Sequence, residues 1–139
     1  MPAERPQLFD FRTTRLRRTR SQEDGFLFAA AGEGLADRLA TVTRRFAHGL
    51  MIGAAPLVGL HRFADRWTSA EFDQDEYFAV APASIDLAVS LFSLQALNDL
   101  PGALVQIRRA LKPDGLFVGA LFGGATLQEL RYSFAQAEL

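Results

Sequence analysis

Two histidines, one acidic cluster and one run of arginines are the residues of this 139-residue chain whose types could do chemistry. His48 and His61 stand thirteen positions apart, and no Asp or Glu repeats at a fixed spacing from either. An iron site of the two-histidine, one-carboxylate kind needs all three on one surface, so this pair supports such a site poorly. No acid–base pair, nucleophilic triad or metal-ligand set emerges, and no metal is expected. The chain has no cysteine, which removes thiolate zinc sites and disulfides. Asp73-Gln74-Asp75-Glu76 concentrates carboxylates in an acidic turn. Arg12, Arg15, Arg17, Arg18 and Arg20 crowd into nine positions, as a phosphate or nucleic-acid patch would. A solvated arm or helix face, paired with Glu23 and Asp24, is the favoured alternative. Aromatic residues do not interleave with these arginines as a single-strand binding platform requires. The net charge of −1 exerts no general pull toward nucleic acid or membranes. Neither partner is expected.

These residues need elements to position them, and the clearest lie between Ser84 and Gly124. Ile85, Leu87, Ala88, Val89 and Leu91 form a nearly continuous apolar run, the pattern of a strand buried on both faces. Leu100, Leu104, Ile107 and Leu111 recur at helical spacing. Asn98 or Asp99 can cap that helix, and Pro101 suits its first turn. Lys112-Pro113-Asp114-Gly115 should end it. Strand 115–122 follows and closes on Gly123-Gly124. Such a unit makes a right-handed crossover between parallel strands.

Elsewhere the signals are shorter. Phe26 to Phe46 reads as helix on the stripe Leu35, Leu39, Val42 and Phe46, with Gly32 and Gly34 expected to separate off an earlier turn. Gly49 to Gly53 reads as the first strand, with His48 as a structural residue at the junction. A loop and short helix follow, carrying an exposed His61. Trp67–Phe72 is a weaker strand. Leu127, Leu130, Phe134 and Ala137 mark a last helix, with Thr126 and Glu129 as a capping pair. The whole is one domain, divided as a basic arm over 1–25 and a globular unit over 26–139. The fold class is α/β, a Rossmann-like three-layer sandwich with a short, mostly parallel sheet of about four strands. Its expected spatial order is weak strand, first strand, strand 85–91, strand 115–122. The order reverses beside the first strand, so a ligand crevice should open around Gly53 and Ser90 to Gln95. No apolar run approaches the ~18 residues of a membrane span. Glu4 and Asp10 interrupt the basic run, unlike an organellar transit peptide. Cytoplasmic residence is the expectation.

The stretch DLAVSLFSLQALNDLPGALVQIRRALKPDGLFVGALFGGATLQELR resembles the post-motif segment of class I S-adenosyl-L-methionine (SAM) dependent methyltransferases. More narrowly it is similar to the branch holding the malonyl-carrier-protein methyltransferases. Within that branch it is most similar to the methyltransferase-like assembly factors of respiratory complex I, a family described as arginine hydroxylases. LFDFRTTRLRRTR and LADRLATVTRRF resemble that group's amino-terminal arm. The resemblance implies SAM as cofactor and a small or carrier-bound methyl acceptor.

It also implies sites. The family's acid-x-Gly-x-Gly loop falls on Met51-Ile52-Gly53-Ala54-Ala55, so Gly53 and Ala55 are cofactor-binding candidates. Met51 stands where an acid would meet the cofactor's ammonium group, and Pro56 removes a donor. The family's ribose-binding acid follows a strand about 20 residues on. Either Trp67–Phe72 is that strand with Asp73 as the acid, or part of the region is deleted, which we favour. The adenine-contacting position then falls at Gln74 or a neighbour, so Asp73, Gln74 and Asp75 are all carried. Ser90 and Gln95 complete the cofactor-binding set, with Ala96 where the family has an aromatic wall. Members of the family continue for two more strands and a helical insert, which this chain is expected to lack.

Methyl transfer needs proximity and alignment more than a lone base, so no catalytic residue is nominated. The alternative is a non-catalytic binding or assembly module that has lost normal SAM binding, and a third is a shortened form of a longer enzyme. In each case the apolar edge strand 115–122 should be covered, by a second copy or another polypeptide.

Overall fold

The computed structural model describes residues 7–20, 25–55 and 59–137. Helices α1 (Phe11–Arg20) and α2 (Phe26–Ala40) precede strand β1 (Phe46–Ile52). A 3₁₀ turn, His61–Phe63, leads into β2 (Ala64–Ala70), followed by β3 (Ile85–Leu91), α3 (Leu100–Ala110), β4 (Leu111–Ala120) and α4 (Gln128–Ala137). The four strands are all parallel and lie in the order β2-β1-β3-β4. This is the expected order, with the reversal beside β1.

Period-two alternation sorts the strand side chains onto two faces. Leu50, Ile52 and Ala88 pack with Ala103, Ile107 and Ala110 of α3 on one face. Met51, Leu87, Val89 and Leu91 pack with Leu35, Ala36 and Leu39 of α2 on the other. Every residue of β3 is buried, as a strand covered by helices on both sides must be. The result is three layers, α2, sheet and α3. At the carboxyl edge of the α2 face Phe92 stacks on Phe122 at 4.7 Å and meets Phe28 edge-on at 5.5 Å.

Several boundaries differ from expectation, each for a local reason. The helix from Phe26 ends at Ala40, and β1 begins at Phe46. Phe46 is buried as a strand residue. Gly32 and Gly34 do not break α2, and Gly32 is buried within it. The inward stripe of α3 is Ala103, Ile107 and Ala110, while Leu104 is exposed. Small alanines let the helix lie close to the sheet, and the larger leucine was the misleading signal. Asp99 caps α3 by accepting from the Gly102 N–H at 3.0 Å, which leaves Asn98 for other work. Lys112–Gly115 lies inside β4 and does not precede it. Pairing jumps from Ile85↔Leu111 to Leu87↔Leu116, so the loop is a wide bulge. Asp114 there has φ 63°, and a Cβ on Gly115 would sit 2.9 Å from the Lys112 carbonyl oxygen. Helix α4 is exposed along its length, and Thr126 and Glu129 make no capping bond. β4 is an outer strand of the sheet.

The bulge has a structural purpose. It brings the Lys112 ammonium to 3.0 Å from Asp86, the charged residue of buried β3. Asp86 also accepts the His48 N–H at 3.0 Å and faces Arg44 at 3.8 Å. Burial alone would raise its pKa. The Lys112 hydrogen bond, the His48 N–H and the two positive charges together outweigh that, and the pKa lies below 3.8. A depressed carboxyl pKa stabilises the fold above the ordinary value and ceases to do so as pH falls through the folded value. Asp86→Asn is therefore expected to cost about 1–3 kcal/mol at pH 7 in urea unfolding. The difference from the unsubstituted protein should shrink below pH 3.8; a difference that persists undiminished in acid would refute the assignment.

Candidate functional site

A crevice of about 450 Å³ opens at the carboxyl ends of β1 and β2. Its floor is Ile52, Gly53 and Ala54, and one wall is the loop after β3 with Ser93, Ala96, Leu97 and Asn98. Gly53 has φ 94°, and a Cβ there would lie 2.7 Å from the Ser93 Cβ. Only glycine fits both the dihedral and the approach. The Ser93 hydroxyl donates to the Ile52 carbonyl at 2.8 Å and meets the Ser90 hydroxyl at 2.7 Å. With the Ser93 hydrogen used on Ile52, Ser90 is the donor between the two hydroxyls. The ends of β1 and β3 are thus pinned together beneath the crevice.

The second wall comes from the end of β2. Glu71 follows the strand directly and lines the crevice with Phe72, Gln74 and Glu76. Phe72 is anchored by stacking on Phe78 at 4.6 Å. The Asp73 carboxylate accepts the Asp75 and Tyr77 N–H groups at 3.0 and 2.8 Å, building the turn itself. Glu76 takes φ 56°, a conformation disfavoured for a side chain of its size. Its carboxylate compensates by accepting from the Asn98 N–H, the Asn98 amide and the Asp99 N–H. Gln106 of α3 holds the same segment, donating to the Glu76 carbonyl at 2.9 Å and accepting the Phe78 N–H at 2.8 Å.

Asn98 also reaches upward. Its Oδ1 accepts the Leu8 and Phe9 N–H groups at 2.7 and 2.9 Å, and its Nδ2 donates to the Phe9 carbonyl at 3.1 Å. This pairing seats the start of the arm over the crevice. Asp10 then caps α1, accepting the Thr13 N–H at 2.6 Å. The Thr13 backbone bond, its side-chain bond and the nearby Arg12 hold the Asp10 carboxyl below its usual value. Arg18 donates to the Ser93 carbonyl at 3.0 Å. Phe11, Arg12, Thr14, Arg15 and Arg18 complete the lining, so α1 forms a roof.

A methyltransferase-domain family profile matches residues 58–119 of the chain. A 65-residue stretch is 58% identical to the mitochondrial arginine-hydroxylase NDUFAF5 of Rattus norvegicus, covering 46% of this chain and 19% of that protein. The Homo sapiens protein of the same name is 53% identical over 64 residues, 46% of this chain and 19% of its own. The malonyl-[acyl-carrier protein] O-methyltransferase of Xylella fastidiosa is 49% identical over 59 residues, 42% of this chain and 20% of that enzyme. In structure, a proposed S-adenosyl-L-methionine-dependent methyltransferase from Methanococcus maripaludis superposes with a TM-score of 0.51 at 15% identity. That superposition covers 99% of this chain and 76% of the other. Residues 58–119 are similar to methyltransferase domains, and the whole chain shares its fold with the solved neighbour. The matched stretch spans about a fifth of the length of these curated relatives.

Within the methyltransferase fold, the sequence candidates separate. Gly53 and Gln74 line the crevice. Ala55 lines a second hollow along β1 and β2, which shares Gly53, Ala54 and Glu71 with the crevice. Ser90 is fully buried behind Ser93 and does not reach the crevice surface. Asp73 and Asp75 are exposed in the turn, away from the lining. Gln95 also lies outside the lining, its Oε1 buried without a hydrogen-bond partner in the described structure. The weaker strand is present, so the first of the two alternatives holds for it: β2 pairs in register with β1 from Phe46↔Ala64 to Ile52↔Ala70. The pairing began three residues earlier than the Trp67–Phe72 reading, so the acid at the strand's end is Glu71. The arm carries a largely exposed helix, α1, as the helix-face reading has it, and its inner residues also line the crevice; its proposed partners Glu23 and Asp24 lie outside the described residues, as does Pro56.

Sequence reasoning missed Glu71, the double role of Asn98 and the α1 roof. Glu71 was hidden by alternation that placed it on a strand face. Asp10 three residues before Thr13 is a readable cap, and it was the available signal for α1. His48 sits away from the crevice at the other end of β1, accepting from Arg66 through Nδ1 at 3.1 Å. A guanidinium only donates, so Nε2 carries the hydrogen and donates to the Thr68 hydroxyl at 2.8 Å. Among the described residues no group of three or more His, Asp and Glu is placed to hold a metal ion.

Proposed function

We propose that the crevice binds S-adenosyl-L-methionine and that the protein transfers its methyl group to a small-molecule or carrier-bound acceptor. The observation that carries this reading is the pairing of Gly53 on the floor with Glu71 on the wall, at the end of the sheet where strand order reverses. The residues fit the cofactor's parts. Glu71 is a carboxylate at the tip of the second strand, suited to accept hydrogen bonds from ribose hydroxyls. The glycine corner at Gly53-Ala54 presents backbone where an amino-acid chain can lie close. About 450 Å³ is within the range of small-molecule sites. When bound, the cofactor supplies a methyl group on a sulfonium, which leaves as a neutral thioether. The protein's share is to hold two reactants in line and to shield them from water, for which the α1 roof is placed. Titration calorimetry with S-adenosylhomocysteine is expected to give a Kd below about 100 μM. Glu71→Gln should weaken it about tenfold by removing a charge-assisted bond. Absence of binding heat from folded protein would sink the reading.

Two accompanying proposals concern the setting. The outer strand β4 carries Leu116, Phe117 and Val118, all half-buried, and Leu121 and Phe122 beyond it are exposed. A second copy or protein partner covering that edge is part of this reading, supported by the liability of an open apolar strand. Light scattering after size exclusion should report a dimer or larger species; a soluble monomer at high concentration would contradict it. Among the described residues no helix is long and apolar enough to cross a membrane. We propose a cytoplasmic location; recovery of the tagged protein in an organelle fraction would overturn that.

A further inference from the structure

The crevice roof carries two guanidiniums, Arg12 and Arg15, that no described carboxylate holds in an ion pair. Arg12 and Arg15 lie three positions apart in α1, on one face of the helix, and both line the crevice. The charged lining consists of these two with Arg18, against Asp10, Glu71 and Glu76. Two of the three acids are occupied: Asp10 caps α1 through Thr13, and Glu76 holds the Asn98 and Asp99 amides. Arg18 is tied to the Ser93 carbonyl. Arg12 and Arg15 form no ion pair with any described residue. The crevice is therefore bipolar, with Glu71 at the end of β2 and two guanidiniums on the roof.

We propose that Arg12 and Arg15 are a carboxylate-binding wall, a deepening that rests on the cofactor reading above. A guanidinium presents a planar pair of donors that matches a carboxylate. Three arginines against three acids leave the lining formally neutral. That balance suits a singly charged carboxylate better than a multiply charged phosphate, which the three acids would repel. The carboxylate has two possible sources, the amino-acid end of the cofactor and an acid group on the methyl acceptor. Asn98 acts as a positioning residue for the wall, because its three bonds to Leu8 and Phe9 seat the arm that carries it.

The test uses the full chain and three probes: S-adenosylhomocysteine, methylthioadenosine (the same thioether without the amino-acid end) and monomethyl succinate, a simple monocarboxylate. Calorimetry follows the first two and NMR titration the third, in the unsubstituted protein, Arg12→Gln/Arg15→Gln and Arg12→Lys/Arg15→Lys. A loss of about tenfold or more for S-adenosylhomocysteine with methylthioadenosine unchanged supports the wall and assigns the cofactor's carboxylate. Unchanged nucleoside binding with loss of monomethyl succinate supports the wall and assigns the acceptor's carboxylate. The lysine variant should recover part of the loss in either case, since charge remains. Equal loss of both nucleosides, or no loss of any probe, overturns the proposal. If the unsubstituted protein binds neither nucleoside, the cofactor reading fails separately. Monomethyl succinate still judges the wall then: loss of its binding on substitution supports the wall, and no binding or an unaltered affinity overturns it.

Discussion

Burial of β3 on both faces is the constraint from which the rest of the structure follows. A strand with helices on each side can take water on neither, so its side chains are apolar except where a partner is supplied. Two polar residues interrupt it, one near each end. Asp86 is answered by Lys112, the His48 amide and Arg44. Ser90 is answered by Ser93, which in turn reaches the Ile52 carbonyl. The first set ties β3 to β1 and β4 at one end of the sheet, and the second ties it to β1 at the other. The strand is a spine clamped at both ends, and the crevice begins directly above the upper clamp.

The same economy of polar groups shapes the crevice. Asp73, Glu76 and Asp10 are carboxylates whose bonds go to backbone amides, so they build turns and a helix start. Asn98 joins two of these pieces, accepting from the arm and donating to Glu76. What remains available to a ligand is Glu71 below and Arg12 and Arg15 above. An acidic-looking turn thus contributes structure, while a single glutamate at a strand tip faces the crevice. Glu76 shows how firmly this is held, since a left-handed backbone at that residue persists only under its hydrogen bonds.

Much of the architecture was readable along the chain because the signals are local and periodic. β3 announced itself as an unbroken apolar run, α3 by Pro101 and the acid before it, and the sheet order by the handedness of crossovers. Errors arose where two local rules competed. Phe46 fitted a helical stripe and also a strand start, and its burial in the sheet decided between them. Leu104 outranked Ala103 by hydrophobicity, yet the closer packing of alanine against the sheet prevailed. The weak strand was entered three residues late, which moved its terminal acid from Glu71 to Asp73.

The order of residues by itself determined an α/β fold, a buried parallel spine and a glycine corner after the first strand. Each of these is set by neighbours in sequence or by a pattern repeated at short range. Only the tertiary structure decided which carboxylates are free, that Asn98 clasps a segment some ninety positions away, and that the arginine run roofs a crevice. Those outcomes depend on what lies opposite a side chain once the chain has folded. A charged residue reads the same in sequence whether its partner is water, a backbone amide or a ligand.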